Sequence, residues 1–78
     1  MVRVTLPELG EGIAEATVAC FHLKPGDPVN VDDDVVEVVT DKATFNVAST
    51  AAGRIAETFV AEGDQVPVGA ALFSVSDS

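Results

Sequence analysis

Apolar and polar residues alternate along the chain in short runs, and no stretch of ten or more residues carries a clean helical stripe. Val2–Leu6, Thr17–Lys24, Val35–Thr40, Ala43–Val47, Arg54–Ala61 and Ala71–Ser76 show this alternation between turn signals, which predicts strands with one face turned to a core. The turns are marked by Gly10 and Gly12, Pro25-Gly26-Asp27, Gly53, Gly63-Asp64 and Gly69. Short extended pieces at Val29–Val31 and Val66–Val68 follow two of them. Val, Ile and Thr fill 22 of 78 positions, and β-branched side chains suit a pleated surface better than a helix, so the fold reads as all-β.

A repeat underlies the pattern. Leu23-Lys24-Pro25-Gly26-Asp27-Pro28-Val29-Asn30-Val31 aligns with Val60-Ala61-Glu62-Gly63-Asp64-Gln65-Val66-Pro67-Val68 at an offset of 37 residues. The same offset carries Val18 to Ile55, Val35 to Leu72 and Val38 to Val75. Two halves with the same turn chemistry predict a flattened barrel or sandwich of two small antiparallel sheets related by a quasi-two-fold axis, each half covering the other's apolar face. Val4, Leu6, Val18, Leu23, Val36, Val38, Phe45, Val47, Ile55, Phe59, Leu72, Phe73 and Val75 are the expected core. The offset maps the junction Thr40-Asp41-Lys42-Ala43 onto positions around Asp77, just past the last strand. That junction should therefore lie at the end of the molecule opposite the chain termini. The halves differ by about four extra residues in the first, within Glu8–Ala14, and loops absorb such insertions and often carry function.

Length and charge narrow the function. The chain suits one small domain, taken as residues 1–78. Four basic and thirteen acidic side chains give a net charge of −9, which argues against nucleic-acid and anionic-membrane partners and for a basic protein surface. No signal-peptide pattern and no apolar run of membrane-spanning length occurs, so the chain reads as soluble. The one cysteine, Cys20, can form no internal disulfide, which fits a reducing compartment.

The connection Asp41-Lys42 stands out. Two-residue hairpins favour turns with positive φ, hence Gly or Asn, and although Asp41 can bond nearby amides, Lys42 offers the turn nothing. A sequence that uses glycine properly at its other turns places a long amine at this tip, and local rules that fail in a consistent sequence mark functional sites. No hydrophobic pocket or neighbouring cation is evident that would activate Lys42 as a nucleophile, so a Schiff-base enzyme is disfavoured and modification by a separate enzyme fits better.

Val38-Val39-Thr40-Asp41-Lys42-Ala43-Thr44, together with Leu6-Pro7-Glu8-Leu9-Gly10-Glu11-Gly12 and Lys24-Pro25-Gly26-Asp27, resembles the lipoyl domain of 2-oxo acid dehydrogenase complexes. The likeness spans essentially the whole chain. It implies that Lys42 carries lipoic acid through an amide, attached by a lipoate ligase or a lipoyl/octanoyl transferase. It further implies that Thr40, Asp41 and Ala43 help partners recognise the lysine, and that Glu8, Leu9, Gly10, Glu11 and Gly12 lie on a loop read by the thiamine-dependent decarboxylase component. On this likeness the lipoyl group is reductively acylated by that component and delivers the acyl group to coenzyme A at an acyltransferase core, with a dihydrolipoamide dehydrogenase as the reoxidising partner. The chain itself would be a non-catalytic carrier, in the bacterial cytoplasm or the mitochondrial matrix. Related biotinyl domains usually flank their lysine with methionines, whereas Asp41 and Ala43 point to lipoyl. Val39 and Asn46 stand where the family commonly has acidic residues, and Phe21 where Trp is frequent. The alternatives are an unmodified β-sandwich adaptor for a basic partner, or a biotinyl carrier.

No metal site is expected. Asp32-Asp33-Asp34 lacks the Gly and distal Glu of an EF-hand loop and reads as a solvated acidic turn. Cys20 and His22 share a strand face without a third ligand, and Glu37 reads as a solvent-facing strand residue. Gly10-x-Gly12 lacks the third glycine and following helix of a dinucleotide fingerprint.

Overall fold

The alternating runs become eight strands in a computed structural model that describes residues 1–76. They are β1 (Val2–Thr5), β2 (Glu15–Phe21), β3 (Pro28–Val29), β4 (Asp34–Val39), β5 (Thr44–Ala48), β6 (Gly53–Thr58), β7 (Gln65–Pro67) and β8 (Ala71–Ser76). Two four-stranded antiparallel sheets form, in the orders β1-β8-β6-β3 and β5-β4-β2-β7. Exchanging β1 with β5, β8 with β4, β6 with β2 and β3 with β7 turns one order into the other, so the two-fold expected from the repeat is present. The two sheets do not correspond to the two halves of the chain. β3 leaves the first half to pair with β6, and β7 leaves the second to pair with β2.

The repeated Gly-Asp turn makes this exchange. Gly26 N–H donates to the Ile55 carbonyl (2.8 Å), and Ile55 N–H donates to the Asp27 carbonyl (2.9 Å). Gly63 N–H donates to the Val18 carbonyl (2.7 Å), and Val18 N–H donates to the Asp64 carbonyl (2.8 Å). Each turn is closed by its own aspartate, whose Oδ2 accepts from Lys24 N–H (3.0 Å) or Ala61 N–H (2.9 Å). Gly26 and Gly63 adopt φ of 96° and 92°, a region open to glycine at little steric cost.

The core differs from simple alternation in a regular way. Val35 and Val36 are both fully buried, as are Leu72 and Phe73. In each case the strand register shifts, at Asp34/Val36 against β5 and at Val4/Thr5 against β8, so two consecutive side chains turn inward. Val29 and Val66, on the short strands, and Ala16 also join the core. Leu23 and Phe45 are half-buried and pack against it. Phe59, expected inside, is 41% exposed: β6 ends at Thr58, and the ring lies 5.4 Å from the Arg3 guanidinium carbon on the surface.

One backbone position tests the symmetry. Asp32 has φ 72°, the sole positive φ outside glycine among the described residues, and its counterpart is Gly69 at φ 93°. Both donate N–H across the sandwich edge, Asp32 to the Ser49 carbonyl and Gly69 to that of Leu6. Asp32→Gly should leave stability within about 0.5 kcal/mol, because relieved strain offsets the greater freedom of the unfolded chain. Asp32→Val should cost about 1–2 kcal/mol, the penalty of a left-handed β-branched residue. Urea unfolding with unchanged m-values checks both.

Candidate functional site

Strand register alone sets the tip apart from the chain ends. β4 begins at Asp34 beside Ala48 and ends at Val39, flanked by Thr17 and Thr44. Thr17 also pairs with Gln65, and Glu15 with Pro67; Ala14 accepts from Val68 N–H, and Leu6 bonds to Gly69 and Ala70. The hairpin tip, the Glu8–Ala14 loop and β7 therefore gather at one end. Val2 pairs with Val75, Ser76 with Arg54 and Arg54 with Pro28, while Asn30 and Asp33 bond on toward Ser49. That is the other end, as the repeat predicts. Asp77, onto which the offset maps the tip, lies outside the described residues.

The tip is built by Thr40. Its N–H and its hydroxyl both donate to the Ala43 carbonyl, at 2.8 and 3.0 Å. Its Oγ1 in turn accepts from Lys42 N–H (3.2 Å) and Ala43 N–H (3.1 Å). A side-chain oxygen thus stands in for the backbone acceptor of a tight hairpin. Neither Asp41 nor Lys42 needs positive φ, which corrects the expectation that the turn type is forced against its residues. Asp41 was expected to bond the turn amides; its carboxylate has no hydrogen-bond partner among the described residues, and Thr40 takes that role. Asp41, Lys42 and Ala43 are all exposed. The Lys42 amine makes no hydrogen bond or ion pair among the described residues.

Around the lysine the surface is acidic. Glu8, Glu11, Glu15 and Asp41 are exposed at this end. In the loop, Leu9 packs against the core and anchors the segment, Ile13 N–H donates to the Gly10 carbonyl (3.2 Å), and Gly10, Glu11 and Gly12 face solvent. A shallow groove of about 430 Å³ adjoins the tip, lined among others by Glu15, Thr17, Val39, Asp41 and Gln65. Gln65 Nε2 donates to Glu15 Oε1 across it (3.0 Å). Sequence reading missed this groove, because β7 joins β2 only through the exchanged pairing.

Away from the tip, Cys20, His22 and Glu37 come together on the outer face of the same sheet, with donor atoms within 4.8 Å of one another. Glu37, expected to face solvent, is half-buried opposite Cys20. Burial, then the Glu37 and Glu62 carboxylates, push the Cys20 thiol above its ordinary range, so it is not an activated nucleophile. The Asp32–Asp34 turn is internally used: Asp33 Oδ2 accepts from Asn30 N–H (2.9 Å).

Known proteins share this architecture. A family model described as "Biotin-requiring enzyme" matches residues 2–75. The chain is 43% identical over 73 residues to the dihydrolipoyllysine-residue succinyltransferase component of the 2-oxoglutarate dehydrogenase complex of Bartonella vinsonii, covering 94% of this chain and 18% of that protein. It is 40% identical to the corresponding acetyltransferase component of the pyruvate dehydrogenase complex of Corynebacterium glutamicum, covering 96% of this chain and 11% of that protein. The chain thus spans less than a fifth of the length of these curated relatives. Among solved structures, the lipoyl domain of the 2-oxoglutarate dehydrogenase complex of Azotobacter vinelandii superposes with a TM-score of 0.77 at 38% identity, covering 97% of this chain and 96% of that one. A single-chain, multi-domain long-chain acyl-CoA carboxylase shares the fold alone, at 22% identity and a TM-score of 0.71, over 97% of this chain and 7% of that one. By sequence over nearly its full length and by fold, this chain belongs to the biotin/lipoyl attachment family as a lipoyl domain.

Proposed function

We propose that this domain is a swinging-arm carrier in a 2-oxo acid dehydrogenase complex, bearing lipoic acid in amide linkage on Lys42. The observation that carries this reading is the unpartnered Lys42 amine on a tip tied by four Thr40 contacts, at the end remote from residues 1 and 76. An amine in that position is reachable by a modifying enzyme, and it can visit other active sites without the chain ends interfering. The flanking Asp41 and Ala43 favour lipoyl over biotinyl modification. When bound, lipoic acid supplies a dithiolane able to take up an acyl group together with two electrons.

What the protein residues do follows from their chemistry. Thr40 fixes the base of the arm. Amide formation removes the Lys42 charge, which leaves Asp41, Glu8, Glu11 and Glu15 as an unopposed anionic surface for a basic rim on the decarboxylase component. Glu8 and Glu11 would give the loop its polar recognition contacts, with Leu9 holding it in register. A lipoate ligase or lipoyl/octanoyl transferase, the thiamine-dependent decarboxylase, the acyltransferase core and dihydrolipoamide dehydrogenase are the partners this role requires. Tethering raises the arm's effective concentration at each of them.

Incubation with a lipoate ligase, lipoate and ATP should add one lipoyl group by intact mass. The addition should persist in Lys24→Arg and disappear in Lys42→Arg; modification of Lys42→Arg, or biotinylation in place of lipoylation when a biotin ligase is supplied, overturns the assignment. Thr40→Val keeps the side-chain shape but removes the hydroxyl. It should cost about 1 kcal/mol or less, speed amide exchange at Lys42 and Ala43 by at least tenfold, and slow lipoylation. Unchanged exchange at those two amides would show that Thr40 does not hold the tip.

A further inference from the structure

We propose that Cys20, His22 and Glu37 form a surface site for one divalent transition-metal ion, with zinc the ion that the donor set fits. Phe21 and Leu23 pack against the core, so Cys20 and His22 take the outer face of the sheet, and Glu37 reaches the same face from its pairing position on β4. The thiol sulfur, an imidazole nitrogen and a carboxylate oxygen lie within 4.8 Å of one another. Tetrahedral zinc, with bonds of about 2.3 Å to sulfur and about 2.0–2.2 Å to nitrogen and oxygen, holds its donors roughly 3.3–3.8 Å apart. The separation here exceeds that by at most about 1.5 Å, which the three side chains would close on binding the ion.

Three further features point to a cation here. Glu37 is half-buried, yet its carboxylate has no hydrogen-bond or ion-pair partner among the described residues. Glu62, whose Oε2 accepts from Phe21 N–H (3.3 Å), brings a second carboxylate to the thiol's surroundings, and no lysine or arginine pairs with either. Asn46 Oδ1 lies 3.1 Å from His22 Nε2, and a ring nitrogen that donates there leaves the other nitrogen's lone pair free to coordinate. The set is not imposed by the scaffold: the two-fold places Glu57, Phe59 and Ser74 at the matching positions of the other sheet, where Arg3 lies over the Phe59 ring. Thiolate, imidazole and carboxylate together select an ion of borderline softness, and three protein donors leave a coordination position for water or an outside ligand.

Calorimetric titration of the reduced, metal-free chain with Zn²⁺ should show one tight equivalent and a raised Tm. Cys20→Ser, His22→Ala and Glu37→Gln should each weaken that equivalent at least tenfold, whereas neutralising Asp32, Asp33 and Asp34 to Asn should leave it unchanged. Co²⁺ should give a thiolate-to-metal charge-transfer band that Cys20→Ser abolishes. Circular dichroism of the metal-free variants checks folding, and His22→Ala, at an exposed position, serves if Cys20→Ser does not fold. Absence of a tight equivalent, or one that survives His22→Ala and Glu37→Gln but is lost with the acidic-turn aspartates, overturns the site. None of these readouts depends on Lys42 or its modification.

Discussion

The constraint on which the molecule depends is the reciprocal grip of its two Gly-Asp turns. In a chain of 78 residues without disulfides, neither half can bury enough apolar surface to stand alone. The turn at Gly26-Asp27 hydrogen-bonds to Ile55 of the second half, and the turn at Gly63-Asp64 to Val18 of the first. Val18 and Ile55 are both core residues, so each backbone grip is fastened to a side chain that the other sheet covers. The exchange of β3 and β7 between sheets follows from the same bonds, since each short strand begins immediately after its turn. Half-folded states leave both a core face and a turn unsatisfied, which favours folding of the two halves as one cooperative unit.

The proposed chemistry falls where the two-fold is broken. The register shifts on β2 and β6 fall at Val18/Cys20 and Ile55/Glu57, one offset apart, so the scaffold repeats even its irregularities. Against that background three departures stand out: the extra residues of the Glu8–Ala14 loop, the Thr40–Ala43 tip, and the donor cluster at Cys20. The first two lie at one end and share neighbours on β7 and β2. Relatives of near-equal identity belong to succinyl-, acetyl- and branched-chain acyltransferase components.

Much of this was legible in the sequence because it rests on local rules. All eight extended segments, the repeat and the tip location follow from alternation, Gly-Asp chemistry and a fixed offset. What escaped was set by pairing across the halves. Val35 is buried because a bulge turns it inward beside Val36, and alternation has no symbol for a bulge. Phe59 is outside because β6 stops one residue short of it and a surface cation covers its ring. Glu37 meets Cys20 only through the β2–β4 register, a contact between residues 17 apart. Thr40 did leave a signal: a hydroxyl two residues before a lysine that has no turn propensity of its own is the pattern of a side-chain-capped turn.

On the proposed carrier role, the capped tip would let an arm on Lys42 swing from a fixed attachment point. A glycine turn at residues 41–42 would close the hairpin as well, but it would widen the range of backbone directions in which the amine could point. The hydroxyl of Thr40 holds the amides of Lys42 and Ala43, so the direction of the Cα–Cβ bond of Lys42 is set by the turn while its amine makes no hydrogen bond or ion pair among the described residues. On that reading, partners would recognise the tip and its acidic surroundings, while the arm would move about the rotatable bonds of the Lys42 side chain. A turn of that kind would keep the order in the backbone, where a modifying enzyme would read it, and the freedom in the side chain, where a carrier would need it.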